Sequence, residues 1–245
     1  MTAARTLLRA GAAVPVLAAL HGAPVISTFG PLRKRLMPRL SGQGRPGHVA
    51  LTFDDGPDRL STPHFLRLLD VRDIRATFFL TGSMAVRSPG LVQEMAAAGH
   101  EIAVHGWSHR MLLLRGPGST YDDLARAHDA VADITGSRPR LFRPPYGVMT
   151  SGTYLACRRL GLRPVLWTAW GEDWRARATP RSVHDTVVRD LGSGGTILLH
   201  DSDATSATGS WRNTLGALPR LLDTCRERGL EVGPLRDHQV RCYAP

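Results

Sequence analysis

From residue 48 onward, apolar runs of strand length alternate with segments of helical periodicity, most of which end at a glycine. We predict strands over residues 49–53, 76–80, 101–105, 140–143, 164–169, 196–200 and 231–233. Helices are predicted over residues 62–71 (with Ser61 as N-cap), 89–98, 120–135, 152–160, 182–191 and 213–228. This alternation indicates parallel strands joined by crossover helices. About seven units favour an α/β barrel slightly short of the usual eight, and an open doubly wound sheet is the alternative.

The 245 residues suffice for one large domain, which we place over residues 48–245. Residues 1–47 are predicted to form an N-terminal extension, with the glycine-rich stretch 42–47 as its hinge. Arg5 and Arg9 precede an apolar run over residues 10–20, which has the length of a signal-peptide core and is too short to span a bilayer. A signal or anchor and an ordinary helical arm both remain open. An extracellular or envelope location is slightly favoured over a cytoplasmic one.

The formal charge of +10 comes almost entirely from arginine, because Lys34 is the only lysine. A basic surface suits an anionic polymer, an anionic lipid or nucleic acid. The arginines are scattered and not interleaved with aromatic residues, so we expect no nucleic-acid partner. Cys157, Cys225 and Cys242 lack metal-site spacing and are interpreted as buried free thiols, with a bridge between Cys225 and Cys242 left open. We expect a monomer.

Two adjacent carboxylates, Asp54 and Asp55, end the first predicted strand just before the turn-forming Gly56 and Pro57. Neighbouring carboxylates repel each other unless a positive group lies beside them, and a metal ion is the simplest such group. A solvated turn is the alternative for this pair taken alone. Downstream residues decide between the two interpretations.

His105 and His109 follow the third predicted strand and are spaced to lie on one face of a helical turn. The carboxyl ends of parallel strands meet at one face of a barrel, so a carboxylate from Asp54 or Asp55 can join them. Two imidazoles and one carboxylate suit Zn²⁺ or a similar divalent ion. The remaining histidines are interpreted as structural: His21, His48, His64, His100, His128, His184 and His238.

Two further strands end in reactive groups. Arg143 can hold a carboxylate through paired hydrogen bonds, and the prolines after it leave the Tyr146 N–H available as a donor. His200 can act as an acid near neutral pH. Four strands that each end in a chemically useful residue predict an active site at this face.

Five short segments, in order and spacing, resemble the motifs of the polysaccharide deacetylase family, also called carbohydrate esterase family 4 or the NodB-homology domain. They are residues 52–57 (TFDDGP), 105–109 (HGWSH), 143–147 (RPPYG), 173–174 (DW) and 198–201 (LLHD). The resemblance covers roughly residues 48–235. It implies a distorted (β/α)₇ barrel, TIM-barrel-like, that removes N-acetyl groups from N-acetylglucosamine-containing glycans such as peptidoglycan or chitin. It also implies one divalent metal ion, with Zn²⁺ expected before Co²⁺.

The resemblance also implies a role for each matching residue. Asp54 would be the general base and His200 the general acid, with Arg143 tethering Asp54 and Asp173 hydrogen-bonded to His200. The others would bind the metal (Asp55, His105, His109), hold the oxyanion through a backbone N–H (Tyr146), line the acetyl pocket (Leu198) or flank the cleft (Trp174).

One position departs from the family pattern. Trp170 stands where many members carry an Asp, so the substrate contacts on this side of the cleft are expected to differ from those of such members. Residues 202–213 are predicted to form a loop over the cleft, where Trp211 either stacks on a sugar or packs beneath its own loop. Two other functions stay open: a deacylase acting on a non-sugar amide, and a non-catalytic glycan-binding module. We expect a glycan as the partner, and association with the cell envelope is left open.

Overall fold

A computed structural model of the chain describes residues 19–238. The strands in this part of the chain form one parallel sheet. They are β1 (His48–Asp54), β2 (Thr77–Leu80), β3 (Glu101–Val104), β4 (Leu141–Phe142), β5 (Arg163–Pro164), β6 (Ala169–Trp170), β7 (Thr196–His200) and β8 (Glu231–Gly233). Their order is β5-β4-β3-β2-β1-β7-β6, and β8 pairs with the first half of β1.

Helices cover the outside of the sheet. They include α1 (Gly30–Leu36), α2 (Thr62–Val71), α3 (Gly82–Ala85), α4 (Pro89–Ala97), α5 (Pro117–Thr135), α6 (Ser151–Leu160), α7 (Pro180–Asp190) and α8 (Trp211–Glu227). The prediction of a distorted (β/α)₇ barrel is confirmed, with the sheet open between β5 and β6. The barrel places the carboxyl ends of its strands at one face.

The single strand predicted over residues 164–169 is wrong, because this stretch divides into β5 and β6 at opposite ends of the sheet. Arg143 accounts for the division: its guanidinium donates to the carbonyls of Val165 (3.1 Å) and Leu166 (3.0 Å). The guanidinium lies where the N–H groups of a neighbouring strand would otherwise donate to these carbonyls. Residues 165–168 cross the open side of the barrel and are tied to its two edges, because the Val165 N–H donates to the Phe142 carbonyl and the Thr168 N–H donates to the Thr196 carbonyl.

Strand β1 is buried along its whole length and alternates between two apolar environments. Val49, Leu51 and Phe53 face the helices, where Phe53 stacks on Phe78 at 5.0 Å between ring centroids. Ala50 packs inside the barrel with a separate buried cluster. The same alternation turns Thr52 and Asp54 inward, where both meet Arg143.

The described part of the N-terminal extension packs against the open side of the barrel. Leu40 lies in a buried cluster with Leu166, and its carbonyl accepts a hydrogen bond from the Leu166 N–H at 2.6 Å. The stretch predicted as a hinge is hydrogen-bonded to the barrel: the Gly44 N–H donates to the Gly194 carbonyl, and the Gly47 N–H donates to the Ser193 hydroxyl. The domain boundary at residue 47 stays a prediction.

Element boundaries agree with the predicted ones to within three residues for the helices. Gly136 and Gly161 end α5 and α6 with φ of 69° and 67°, a conformation that favours glycine. The predicted cap Ser61 makes no capping hydrogen bond; instead the Asp58 carboxylate accepts from the Leu60 and Ser61 N–H groups.

Some predictions fall on residues that the structure does not describe. The apolar run over residues 10–20 is almost entirely among them, and so is Cys242, whose bridge to Cys225 is therefore untested. Cys157 and Cys225 are both buried, and they are not bonded to each other. Between residues 19 and 238, none of the helices has the length and apolar character that crossing a bilayer requires.

Candidate active site

The two adjacent carboxylates reach the same cavity because the backbone turns between them. Asp54 is the last residue of β1 and points inward, whereas Asp55 has a left-handed φ of 76°. Without that turn the two side chains would lie on opposite faces of the strand. A left-handed conformation of a non-glycine residue costs on the order of 1–3 kcal/mol and persists only where its surroundings enforce it.

Arg143 is fully buried behind Asp54 and fixes the position of its carboxylate. One guanidinium nitrogen, Nη1, donates to Asp54 Oδ1 at 2.6 Å and to the Thr52 hydroxyl at 2.8 Å. The guanidinium carbon lies 4.0 Å from the centre of the Phe79 ring. Burial lowers the pKa of Arg143, and its ion pair with Asp54 opposes that shift. The arrangement fixes one oxygen of Asp54 and leaves the other toward the cavity.

Asp55, His105 and His109 form a cluster in which one ligand atom from each residue lies within 4.8 Å of the others. Asp55 Oδ1 lies 3.4 Å from His105 Nε2 and 3.3 Å from His109 Nε2. This carboxylate oxygen is buried and has no hydrogen-bond partner. An orphaned buried carboxylate oxygen between two imidazole nitrogens fits the donor set that Zn²⁺ and similar cations prefer.

Hydrogen bonds and neighbouring charges set the orientation and the protonation of these three side chains. His105 Nδ1 donates to the Arg143 carbonyl at 2.7 Å, which leaves the Nε2 lone pair directed at the cluster. Burial and the neighbouring His105 lower the pKa of His109 to about 4, so its ring is neutral and able to bind a metal. Burial alone would raise the pKa of Asp55, but the nearby imidazoles outweigh it and hold that pKa below its usual range.

His200 ends β7, in register with Asp54 on β1. Its Nδ1 donates to one oxygen of Asp173 at 2.9 Å, and its backbone N–H donates to the other oxygen at 2.8 Å. The Thr214 hydroxyl donates to that second oxygen as well. Burial opposes protonation of His200, but the charge of Asp173, reinforced by Asp55 and Asp54, raises its pKa to about 10. The imidazole is therefore protonated at neutral pH, with Nε2 3.9 Å from Asp55 Oδ2.

These residues line one cavity of about 270 Å³. The residues predicted from the sequence that line it are Asp54, Asp55, His105, His109, Tyr146, Trp174, Leu198 and His200. Arg143 and Asp173 lie buried behind the lining. None of the other described histidines lines this cavity.

Three tryptophans form one wall of the cavity. The ring centroids of Trp167 and Trp170 are 5.8 Å apart, and those of Trp170 and Trp174 are 5.0 Å apart. Trp170, which stands where the sequence comparison with the family motifs expects an Asp in many members, thus packs between two other rings. Trp167 was not predicted from the sequence, because its place in the wall follows from the open side of the barrel.

Trp211 does not reach the cavity. It is 6 % exposed at the start of α8, belongs to the core beneath the sheet, and stacks on His64 at 5.4 Å. Of the two interpretations of Trp211, the structure favours packing over sugar stacking. The loop before it does border the site, since Thr205 lines the cavity and its hydroxyl donates to Asp55 Oδ2. No signal in the sequence marks this threonine among the polar residues of the loop.

Comparison with known proteins agrees with this geometry. Residues 41–165 match the family described as polysaccharide deacetylase. The chain belongs to the polysaccharide deacetylase family. The matched range contains β1 to β5. Asp54, Arg143, Tyr146 and the cluster of Asp55, His105 and His109 lie within it, and it ends before Asp173 and His200.

Relatives within the polysaccharide deacetylase family cover the chain to different extents. A chitooligosaccharide deacetylase of Bradyrhizobium sp. is 34 % identical over 195 residues, which are 76 % of this chain and 88 % of the relative. A peptidoglycan-N-acetylglucosamine deacetylase of Listeria monocytogenes is 35 % identical over 159 residues, 65 % of this chain. The chain spans only 33 % of the length of that protein.

A solved structure of the family has the same fold. The family 4 carbohydrate esterase from Streptomyces lividans, solved in complex with acetate, is 35 % identical and superposes with a TM-score of 0.71. The superposition covers 81 % of this chain and 98 % of the esterase.

Proposed function

We propose that this protein is a metal-dependent hydrolase that removes N-acetyl groups from N-acetylglucosamine-containing glycans, such as peptidoglycan or chitin oligomers. One observation carries the proposal: a cluster of residues that could hold a metal ion, a tethered carboxylate and a histidine with a raised pKa share one cavity. Family membership and the names of the relatives support the glycan as substrate.

The cation site consists of Asp55, His105 and His109, and its ligands favour Zn²⁺, with Co²⁺ as the second choice. A cation bound there would polarise the acetamide carbonyl and lower the pKa of a coordinated water. The chain supplies the remaining chemistry through groups whose positions follow from the strands that carry them.

Asp54 is the proposed general base. Arg143 occupies its Oδ1, so Oδ2, which lies 3.7 Å from His105 Nε2, remains to take a proton from the attacking water. His200 is the proposed general acid and gives its Nε2 proton to the departing sugar amine. One group must be ionised and the other protonated, so the rate should follow a bell-shaped pH profile. The products are acetate and a free amine, and no covalent intermediate is required.

The rest of the cavity is proposed to position the substrate. The Tyr146 N–H, in a turn where Tyr146 has φ of 61°, would donate to the oxyanion. Leu198 is only 4 % exposed and offers an apolar contact for the acetyl methyl group. The tryptophan wall, with Trp174 nearest His200 at 5.7 Å between ring centroids, would contact the sugar.

Acetate release from N-acetylglucosamine oligomers and peptidoglycan fragments tests the proposal. Chelator-stripped protein should be inactive, and Zn²⁺ or Co²⁺ should restore release. Asp54→Asn should bind one metal per chain yet lose at least 100-fold in rate, whereas His105→Ala should lose both metal and rate. A near-normal rate for Asp54→Asn would refute the base assignment.

The same assay separates the two other functions. Metal-loaded protein that releases no acetate from any sugar, but hydrolyses small N-acyl amides, would identify a deacylase with a non-sugar substrate. Glycan binding without hydrolysis of either class would identify a binding module. Only metal-dependent release from a glycan supports the proposal.

A further inference from the structure

Exposed apolar side chains concentrate in three segments of the chain. Ten of the thirteen exposed large apolar side chains between residues 19 and 238 lie in residues 20–36, 113–114 and 146–155. The most exposed of them include Phe29 (69 %), Leu36 (63 %) and Leu114 (85 %). Single exposed leucines are ordinary on a protein surface, whereas a concentration of this kind marks an interaction site.

Two contacts at Leu20 and His21 join the three segments, which we together call the apolar face. The Ser151 hydroxyl, at the start of α6, donates to the Leu20 carbonyl at 2.7 Å. His21 Nε2 lies 3.3 Å from the Leu113 carbonyl. Tyr146 joins the face to the active site, since its ring packs on His109 at 4.6 Å between centroids and it lines the cavity. The apolar face therefore borders the mouth of the cavity.

Acidic residues are absent from the stretches of sequence that contain these three segments. None of the 21 acidic residues lies within residues 1–53, 102–121 or 134–171, which contain all three segments of the apolar face. The basic residues there include the exposed Arg35, Arg110, Arg158 and Arg159. A partner that meets this face therefore encounters apolar side chains and positive charge together, without a neighbouring carboxylate in the same stretches of chain.

We propose that the apolar face docks the protein onto a membrane surface that contains anionic phospholipid. Exposed leucine and phenylalanine side chains can enter the boundary between headgroups and acyl chains, while the arginines meet the anionic headgroups. A soluble anionic polymer would form ion pairs with the arginines but would make no apolar contact with the leucines. Docking does not depend on the proposed deacetylase activity; if that activity holds, the cavity mouth would act on glycan close to the membrane.

Co-sedimentation of the full chain with vesicles tests the docking. We expect binding to phosphatidylcholine vesicles that contain about one third phosphatidylglycerol, weak binding to phosphatidylcholine alone, and weaker binding at high salt. The double variant Leu114→Ser/Leu155→Ser should reduce binding at least tenfold. Its matched control is Leu60→Ser/Val86→Ser, which removes two side chains exposed outside the apolar face and should bind as the unchanged protein does.

Charge variants test the attraction between the arginines and the anionic headgroups. Arg35→Gln/Arg158→Gln should weaken binding about fivefold for each charge removed. Arg67→Gln/Arg189→Gln, which removes two exposed charges elsewhere, should leave binding nearly unchanged. Thermal melts by circular dichroism verify that every variant is folded.

Three results would overturn the proposal. Absence of binding to the anionic vesicles at low salt would exclude membrane docking outright. Equal losses from the leucine variant and its control would show that binding is not localised to the apolar face. If the leucine variant binds normally and soluble polyglutamate displaces the protein from vesicles, the face serves a soluble anionic polymer instead.

Discussion

Asp173→Asn is the substitution that most directly tests how Asp173 raises the pKa of His200, the proposed general acid. One Asp173 oxygen accepts from the backbone N–H of His200 and from the Thr214 hydroxyl, and the other accepts from His200 Nδ1. An asparagine oxygen can keep the first two hydrogen bonds. Its amide nitrogen then faces Nδ1 as a donor, and only the neutral imidazole can accept it. The variant therefore keeps the shape of the site and favours the deprotonated histidine.

The size of the effect follows from the charge removed. Two unit charges about 4 Å apart interact by about 4 kcal/mol at the effective dielectric constant of a protein. At 1.36 kcal/mol for each pKa unit, this amounts to about three units. The pKa of His200, raised to about 10 in the unchanged protein, should fall to about 7. The acid must be protonated, so activity is lost as the pH rises through this pKa.

The assay is kcat/KM for acetate release between pH 5.5 and 10, with the cation restored. The basic limb should move about three units lower in Asp173→Asn, so that the rate at pH 8.5 falls about 30-fold further than the rate at pH 6. Thr214→Val is the control, because it removes a hydrogen bond to the same carboxylate and leaves its charge; its basic limb should stay within about one unit of the original. A variant profile with a lower plateau and an unmoved basic limb would show that the charge of Asp173 does not set the pKa of His200.

Three further perturbations test contacts around the site. Thr205→Val removes the hydroxyl that donates to Asp55 and should weaken Zn²⁺ binding about 10- to 100-fold in competition with a chelating dye. Arg33→Ala leaves two buried carbonyls unpaired, including that of Trp167, and should lower the free energy of unfolding by about 3 kcal/mol in urea titrations. Burial raises the pKa of Asp201 from 3.8 to about 7, so the folded state loses stability as the pH rises through that window. Asp201→Asn should therefore gain about 2 kcal/mol over the unchanged protein between pH 5 and pH 8, measured by thermal melts in chelator.

The grouping of the candidate site residues was predictable because these residues adjoin strand ends. Asp55 follows β1, and His105 and His109 follow β3, so the rule that parallel strands end at one face is enough to bring them together. The spacing of short motifs then supplied the family. Neither step requires knowledge of how the loops pack.

Other contacts could not be read from the sequence, because each joins distant parts of the chain. Thr205 reaches Asp55 across 150 residues, and Arg33 reaches the Trp167 carbonyl across 134. A threonine in a polar loop and an arginine in a basic segment carry no local signal. The interpretation of Trp211 as a cleft residue is disfavoured for a related reason. Trp211 is the first residue of α8 and packs in the hydrophobic core, and the polarity of the preceding loop does not indicate this packing.

The open side of the barrel and the tether of the proposed base are the same structural feature. Arg143 uses one side of its guanidinium for Asp54 and Thr52 and the other for the carbonyls of Val165 and Leu166. A strand paired with these residues would place its backbone where the guanidinium now lies, so closing the barrel would compete with holding the proposed base. The N-terminal segment completes the arrangement, because Leu40 accepts from the Leu166 N–H and Arg33 donates to the next carbonyl. Closing this side by strand pairing would therefore disturb Asp54, whereas covering it with a separate segment leaves the tether intact and turns Trp167 into the cavity wall.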